Sequence, residues 1–270
     1  MKELSVVIVN YNTGELLGKC VDSVKKTAGF AEIIVVDNAS TDGSGRALRN
    51  FQFSIFNFQF IENKKNLGFA RAVNQGIKKA KGEYILLLNP DTVVEPKAID
   101  NMLQFAKLEP SVGAIGARLL NPDGSVQGSV MHFPTLLRAI REFWLGENRA
   151  YSKYVPKGNM PAQVETVVMA AFLITPECRK RVGYLDERYF MYFEDLDYCK
   201  RIEQAGLKVF YLPSSQVVHY HGVSGRSLAG SVDQWRRLIP SSKIYHGVLK
   251  HYIINFVLWS GQKLQNYIGR

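Results

Sequence analysis

The sequence predicts an α/β fold, a single domain with a mostly parallel central sheet that is followed by a C-terminal helical tail. Three observations support this prediction. Short apolar runs rich in β-branched residues alternate with segments of helical spacing, several of these runs end on polar residues, and residues 226–270 combine apolar helical spacing with basic charge. Such an alternation of strands and helices is typical of parallel sheets with helices on both faces.

The regular part of the pattern lies in the first hundred residues. Predicted strands cover residues 4–9, 32–36, 57–61 and 84–88, and predicted helices cover residues 16–24 and 69–80. The strands are continuous apolar runs, as expected for strands buried on both faces. Asn12 and Glu15 resemble a capping box at the start of the first helix.

The alternation loosens after residue 110. The predicted features are a turn at 121–124, loops with a short helix over 130–165, a buried apolar segment at 167–175, a helix at 194–205, a strand at 207–212 and a helical tail from Asp233 that is interrupted at Pro240. Because there is no clear linker, we predict one domain over residues 1–225 with a basic amphipathic helical extension over residues 226–270.

Charge and cysteine content limit the classes of protein. The net charge is +10, of which residues 226–270 carry +6. Such a tail could meet nucleic acid, an anionic membrane surface or an acidic partner, or could be a solvated helix face. Three scattered cysteines without a CxxC pair exclude a disulfide framework and a zinc site. We therefore expect a cytoplasmic protein, with peripheral contact at the inner face of the membrane as an option.

Polar side chains follow three of the predicted strands. Asn10, Tyr11 and Asn12 follow the first strand, Asp37 follows the second, and Asn89-Pro90-Asp91 follows the strand at 84–88. Ligands bind at the carboxyl ends of such strands, where Asp37 could accept hydrogen bonds from a base or a ribose. A turn with Ser40 or Asp42 as helix cap is the structural alternative.

Further along the chain, other polar residues suit phosphate, metal or proton chemistry. Asn66, Gly68 and Arg71 precede or open a helix, where Arg71 could meet a phosphate or a base, or could be an ordinary surface residue. Asp91 suits Mg²⁺ or Mn²⁺ on a diphosphate, although a plain Asn-Pro-Asp turn is the alternative. His219 and His221 would face the same side of a strand.

Glu194 and Asp195 form the candidate acid–base cluster. A carboxylate can take a proton from a reacting group, and the aromatic residues at 190–193 could raise a carboxylate pKa by desolvation. The alternatives are favourable interaction with a helix dipole and pairing of Asp197 with Lys200 or Arg201.

Five segments together resemble family 2 glycosyltransferases of the GT-A (Rossmann-like) fold, most closely the bacterial rhamnosyltransferase-like branch. They are LSVVIVNYN at 4–12, IIVVDNASTD at 33–42, NLGFARAVNQG at 66–76, YILLLNPDT at 84–92 and FMYFEDLDYC at 190–199. The resemblance covers residues 1–225. It departs from the family pattern at Asn89, where that pattern has a second Asp.

The resemblance implies roles for individual residues. Residues that would contact the nucleotide-sugar are Asn10, Tyr11, Asn12, Asp37, Asn66, Gly68, Arg71, Asn89 and Pro90. Asp91 with His219, or His221 in its place, would hold Mg²⁺ or Mn²⁺, and Asp195 with the adjacent Glu194 would be catalytic. The implied reaction is an inverting transfer from a dTDP- or UDP-linked sugar, with rhamnose as the candidate sugar, to a glycan or lipid-linked acceptor in cell-surface polysaccharide synthesis.

Two other classes of protein compete with this interpretation. A sugar-phosphate nucleotidyltransferase would carry a glycine-rich, basic loop after the first strand, and residues 10–14 lack it. A nucleic-acid-binding protein would show a recognised motif, and we see none, so we expect no nucleic-acid partner. For the tail, contact with a membrane, a homodimer interface and packing on its own domain all stay open.

Overall fold

A nine-stranded sheet forms the centre of the protein in the computed structural model, which describes residues 2–49, 57–220 and 234–267. The strands are β1 (Lys2–Asn10), β2 (Glu32–Asp37), β3 (Phe58–Glu62), β4 (Gly82–Leu88), β5 (Thr92–Val94), β6 (Val112–Leu120), β7 (Val130–Met131), β8 (Ala162–Val164), β9 (Thr166–Val167), β10 (Ala171–Ile174) and β11 (Lys208–His219). The described helices are α1 (Leu16–Thr27), α2 (Ser44–Arg49), α3 (Phe69–Lys79), α4 (Ala98–Leu108), α5 (Leu136–Phe143), α6 (Pro176–Arg181), α7 (Glu194–Gln204), α8 (Gln234–His246) and α9 (Val248–Tyr267).

The sheet is mostly parallel, as predicted. Its order is β3-β2-β1-β4-β10-β6-β11-β5, with β8 beside β11 and a separate β7-β9 pair. Strands β1 to β4, β6 and β11 run in one direction, whereas β5, β8 and β10 run in the opposite one. The carboxyl ends of β1, β2, β4 and β11 therefore meet at one edge, which collects the predicted site residues.

Both faces of the sheet are covered. In β1, Leu4, Val6 and Ile8 point into a core shared with α1 and α4, whereas Val7 and Val9 point into a core shared with α3 and α7. These side chains are nearly inaccessible to solvent, and each such burial contributes roughly 1.5–3 kcal/mol. This double burial explains why the strand sequences are continuous apolar runs.

The structure corrects three local predictions. Asn12 does not cap α1, because its side chain accepts from the backbone N–H groups of Thr41 and Asp42 instead. The strand predicted at 207–212 continues to His219 through irregular pairing between Leu212 and Gln216. The buried segment at 167–175 is divided between two strands, β9 and β10, which belong to different sheets.

The tail is helical but is not interrupted at Pro240. Helix α8 continues through Pro240, and the break falls at Gly247, which adopts φ 78° between α8 and α9. A proline can be accommodated within a helix as a kink, whereas a positive φ cannot continue one. Ile254 and Val257 of α9 pack with Ala139 of α5 in a small third core. Within the described ranges, no helix is both long and apolar enough to cross a bilayer.

Candidate active site

Asp37 and Asn10 lie side by side at the carboxyl edge of the sheet, because β1 and β2 pair in a register that aligns them. Asn10 Nδ2 donates to Asp37 Oδ1 at 2.7 Å, and the Ser40 backbone N–H donates to Asp37 Oδ2 at 3.1 Å. A Cβ atom at Gly45 would lie only 2.7 Å from the Asp37 carboxyl group. Glycine at position 45 is therefore required for this buried carboxylate to hold its place.

Asn12 shapes the loop that follows Asp37. Its Oδ1 accepts from the N–H groups of Thr41 at 2.7 Å and Asp42 at 3.3 Å, and its own N–H donates to Ser40 Oγ at 3.0 Å. It adopts φ 53°, a left-handed conformation that asparagine tolerates better than most residues. Tyr11, the residue before it, is half-buried at the same edge.

Asn66 and Gly68 join the end of β2 to the loop before α7. Asn38 Nδ2 donates to Asn66 Oδ1 at 2.8 Å, and the Leu67 N–H donates back to Asn38 Oδ1 at 2.9 Å. Gly68 has φ 86°, and a Cβ atom there would lie 2.6 Å from the backbone oxygen of Phe190. Because glycine is present, the Phe69 N–H reaches that oxygen at 2.7 Å. Glycine at position 68 thus allows the start of α3 to contact the backbone of Phe190.

Arg71 lies near the start of α3 and points to solvent. Its Nε is 3.7 Å from Glu187 Oε2, and the two side chains are 56% and 42% exposed. Exposed pairs of this kind contribute about 0–1 kcal/mol and are easily exchanged for another anion. Glu187 is a partner that the sequence patterns did not indicate.

Asp91 and His219 come together in a buried pair. Pro90 and Asp91 are buried between β4 and β5, and β5 pairs with the end of β11, where His219 lies opposite Thr92. His219 Nε2 is 3.4 Å from Asp91 Oδ1, and Asn89 Nδ2 is 3.4 Å from the same nitrogen. Asp91 Oδ1 accepts no hydrogen bond from any described group. His221 lies outside the described residues.

Gln127 fixes the orientation of His219. Its Nε2 donates to the His219 backbone oxygen at 2.6 Å, so its Oε1 must be the atom that faces His219 Nδ1 at 3.0 Å. An amide oxygen can only accept, and therefore Nδ1 carries a proton. In the neutral imidazole, the lone pair of Nε2 then faces Asp91.

This arrangement suits a divalent cation. Asp91 Oδ1 is a buried carboxylate oxygen that accepts no hydrogen bond from the described residues, and a cation held between it and the imidazole of His219 would satisfy it. Carboxylate and imidazole are ligands of Mn²⁺, and carboxylate is preferred by Mg²⁺. Among the described residues no third His, Cys, Asp or Glu joins the pair, so phosphate oxygens or water would complete the coordination.

Glu194 and Asp195 begin α7 as a coupled acidic pair. Burial, and then the neighbouring charge of Asp195, raises the pKa of Glu194 from 4.5 to about 8. Asp195 is half-buried, and burial raises its pKa as well, but the positive charge of Lys153 opposes that shift. The Leu196 N–H also donates to Asp195 Oδ1 at 2.8 Å, whereas Glu194 Oε2 has no hydrogen-bond partner. Asp195 is therefore the better anion of the two.

Helix α8 braces the loop that leads into α7. Tyr192 and Phe193 both have left-handed backbones, with φ 68° and 67°, which cost of order 1–3 kcal/mol each. Ser241 Oγ donates to the Met191 backbone oxygen at 2.8 Å, and the ring of Tyr245 lies 5.5 Å from that of Phe193. Contacts from the tail thus help to hold the strained entry to the acidic pair.

The structure brings the predicted residues together in three groups at one edge of the sheet. The groups are Asn10, Tyr11, Asn12 and Asp37; Asn66 and Gly68 with the loop before Glu194 and Asp195; and Asn89, Pro90, Asp91 and His219. Arg71 is set apart from them by its pair with Glu187. Sequence patterns missed Gln127 and Lys153, which lie in irregular segments where no motif marks them.

A mostly parallel sheet with polar and acidic side chains at the carboxyl ends of its strands is the arrangement in which α/β proteins commonly bind ligands at that edge. The sequence profile described as Glycosyl transferase family 2 matches residues 5–169, and the chain belongs to that family. It is therefore a glycosyltransferase, and family membership disfavours both the nucleotidyltransferase and the nucleic-acid-binding interpretations.

Curated relatives lie in the same family branch as the sequence resemblance indicated. The chain is 31% identical over 237 residues to an N-acetylglucosaminyl-diphospho-decaprenol L-rhamnosyltransferase of Mycobacterium tuberculosis, with 80% of this chain and 76% of the relative covered. It is 26% identical to the rhamnosyltransferase WbbL of Escherichia coli, with 85% of this chain and 88% of WbbL covered. An O-antigen biosynthesis protein of Myxococcus xanthus also matches, over 18% of its length. The chain is thus rhamnosyltransferase-like and acts in polysaccharide synthesis.

Solved structures share the fold. GalNAc-T7 with UDP, GalNAc and Mn²⁺ aligns with TM-score 0.65 at 19% identity, covering 80% of this chain and 43% of that one. S. aureus TarS 1-349 in complex with UDP aligns with TM-score 0.57 at 14% identity, covering 97% and 71%. At these identities the likeness establishes the GT-A fold alone.

Proposed function

We propose that this protein transfers a deoxyhexose, with rhamnose as the first candidate, from a dTDP- or UDP-linked donor to a hydroxyl group of a lipid-linked glycan. The observation that carries the proposal is the buried Asp91–His219 pair, which lies at the same sheet edge as Asp37. The names of the two rhamnosyltransferase relatives support the choice of sugar, and the first of those names supports a diphospholipid-linked acceptor.

In this proposal the nucleoside lies against the ends of β1 and β2. Asp37 retains acceptor capacity beyond its two hydrogen bonds, so it would accept from a base N–H or a ribose hydroxyl. Tyr11, Asn12, Asn66 and Gly68 line the same edge. Arg71 would leave its weak pair with Glu187 for the more highly charged diphosphate.

Asp91 and His219 would hold Mg²⁺ or Mn²⁺, with Asn89 and Pro90 forming the turn that positions Asp91. When bound, the cation would neutralise negative charge on the departing diphosphate. Asn89 contributes no charge where the family pattern has a second carboxylate, so the bare protein would bind metal weakly and the donor diphosphate would supply the missing ligands.

Asp195 would act as the base. As the acceptor oxygen forms its bond to the anomeric carbon, the bond from that carbon to the diphosphate oxygen breaks and the hydroxyl proton passes to Asp195. Attack on the side opposite the leaving group inverts the anomeric configuration. Glu194, protonated near neutral pH, keeps the pair at a single negative charge.

The test is sugar transfer measured with dTDP-rhamnose and with UDP-sugars, using a diphospholipid-linked N-acetylglucosamine as acceptor. We expect turnover with one donor, inversion at the anomeric carbon by NMR, and a loss of at least about a hundredfold in kcat for Asp195→Asn. Asp197→Asn is the matched control, since Asp197 pairs with Arg201 at 2.9 Å on the same helix. Full activity of Asp195→Asn would rule out its role as base, and transfer of a different sugar would reassign the donor.

A further inference from the structure

Helix α9 is apolar on two opposite sides. One side packs on α5, where Ile254 and Val257 are buried. At Gly261 the two helices are so close that a Cβ atom would lie 2.5 Å from the Cβ of Phe143. This packing determines which side chains of α9 face outward.

The outward side carries large apolar residues at helical spacing. Leu249 is 74% exposed, Tyr252 57%, Phe256 58% and Trp259 59%. A helix that is apolar all round is normally buried. An exposed apolar stripe of this length therefore indicates a surface that something else covers.

The stripe continues onto α5 and the turn after it. Trp144 is 42% exposed and Leu145 is 73% exposed. The indole Nε1 of Trp144 donates to Ser260 Oγ at 3.0 Å, which joins Trp144 to α9 at the residue after Trp259. We call Trp144, Leu145, Leu249, Tyr252, Phe256 and Trp259 the α5–α9 face.

The basic residues near the α5–α9 face indicate that its partner is an anionic surface. Residues 234–267 contain five basic residues and no Asp or Glu; the basic residues are Arg236, Arg237, Lys243, Lys250 and Lys263. Lys250 and Lys263 are exposed on α9 itself. Tryptophan and other aromatic side chains bordered by lysines are typical of helices that lie at an anionic membrane interface.

A second copy of the chain is a poorer occupant. In a twofold symmetric dimer the same patch meets itself, so the lysines of one α9 would lie close to those of the other. Residues 234–267 contain no acidic residue that would compensate that repulsion. The acidic residues beside Trp144 already have partners, since Glu142 accepts from the N–H groups of Tyr151 and Ser152 and Glu147 pairs with Arg141.

We propose that the α5–α9 face docks on an anionic lipid bilayer, with its apolar side chains at the headgroup boundary and its lysines on lipid phosphates. The inference rests on the proposed function, because the protein would bind a lipid-linked acceptor at the bilayer surface. Helix α8 joins this face to the active site, because Ser241 bonds to Met191 in the loop before Glu194. Docking would therefore bring the acidic pair towards the membrane surface.

The test is flotation of the full chain, without donor, on vesicles that contain phosphatidylglycerol and on vesicles of phosphatidylcholine alone. We expect binding to the anionic vesicles only, and a partition coefficient lowered about tenfold or more in the double variant Phe256→Glu/Trp259→Glu. Leu108→Glu is the control, because Leu108 is an apolar residue that is also exposed, at 74%, but lies on α4. Far-UV circular dichroism would check that each variant is folded.

Equal flotation of the double variant and the wild type would overturn the docking proposal. So would a wild-type dimer in sedimentation that Phe256→Glu dissociates, since the face would then be covered by a second copy. The flotation assay does not require sugar transfer. Binding to anionic vesicles that depends on Phe256 and Trp259 would therefore support docking even if the proposed donor is wrong.

Discussion

At the scale of single residues, the orientation of His219 depends on Gln127. The amide of Gln127 is locked by the backbone oxygen of His219, and it in turn keeps the proton on Nδ1. Gln127 thereby directs Nε2 of the imidazole towards Asp91. Interactions of this kind commonly determine metal affinity as strongly as a ligand does.

The first prediction follows from this contact. Gln127→Ala should weaken Mn²⁺ binding in the presence of the nucleoside diphosphate by about ten- to a hundredfold, because His219 loses its fixed tautomer and orientation. Isothermal titration calorimetry with Mn²⁺ measures the change. Gln104→Ala, an exposed glutamine on α4, is the control. Unchanged Mn²⁺ affinity in Gln127→Ala would mean that His219 is not a ligand.

The second prediction concerns Glu194 and pH. Its pKa in the folded protein is raised from 4.5 to about 8, so the folded state binds more protons than the unfolded state in that window. The stabilising contribution of Glu194 is complete below its unfolded pKa and is lost as pH rises towards 8. Between about pH 5 and pH 8, the Tm of the wild type should therefore fall more, or rise less, than the Tm of Glu194→Gln.

In Glu194→Gln this contribution to the pH dependence of Tm should be absent, because the glutamine side chain stays neutral. Differential scanning calorimetry of wild type and variant at several pH values measures it, with Glu177→Gln as the control, since Glu177 is exposed in an ion pair with Arg181. The pH dependence that remains in Glu194→Gln is expected to come from Asp195, whose pKa is also raised, and from His246 and His251, whose pKa values are lowered by burial and whose contribution to stability rises with pH. A wild-type slope equal to that of the variant would show that Glu194 titrates normally.

At the scale of elements, α8 stabilises the strained entry to α7. The rings of Tyr245 and His246 pack on Phe193, and Lys200 lies over Tyr245 at 5.4 Å. Left-handed backbones at two successive residues persist only where surrounding contacts hold them. The tail is therefore part of the machinery that positions Asp195, although the sequence shows it only as an amphipathic extension.

The third prediction tests this bracing. Tyr245→Ala should lower kcat by about ten- to a hundredfold with little change in donor KM, because Asp195 is displaced while the nucleotide edge is untouched. Steady-state kinetics with varied donor measures both constants. Gln262→Ala, exposed on α9, should behave as wild type. A rise in donor KM at constant kcat would instead connect α8 to the donor site.

At the scale of the whole molecule, the sequence predicts the parallel half of the sheet well. Strands buried on both faces are continuous apolar runs, and polar residues mark their carboxyl ends. Asn10 and Asp37 could be placed together for that reason. The order of the strands could not be predicted in the same way. No local sequence pattern indicates that β10 inserts antiparallel between β4 and β6.

Long-range pairing also explains what could not be predicted at the site. Asp91 and His219 meet because β11 pairs with β5, and Gln127 joins them from the segment after β6, so the contact set depends on tertiary register rather than on motif. The helix break predicted at Pro240 is wrong, because a proline alone does not end a helix. The break lies at Gly247, whose positive φ cannot continue one. The family resemblance supplied roles for Asp91 and His219 that spacing could not.

In the proposed function, Asp91 and His219 hold a divalent cation on a nucleoside diphosphate. The most direct measurement is the thermal shift produced by dTDP and by UDP, with and without Mn²⁺, in wild type, Asp91→Asn and the exposed control Asp22→Asn. At about 100 times its Kd, the right diphosphate should add roughly 2.7 kcal/mol, or about 5–10 °C in Tm, with Mn²⁺ present. Asp91→Asn should lose this shift and Asp22→Asn should keep it. An equal shift without metal, or an undiminished shift in Asp91→Asn, would contradict the account.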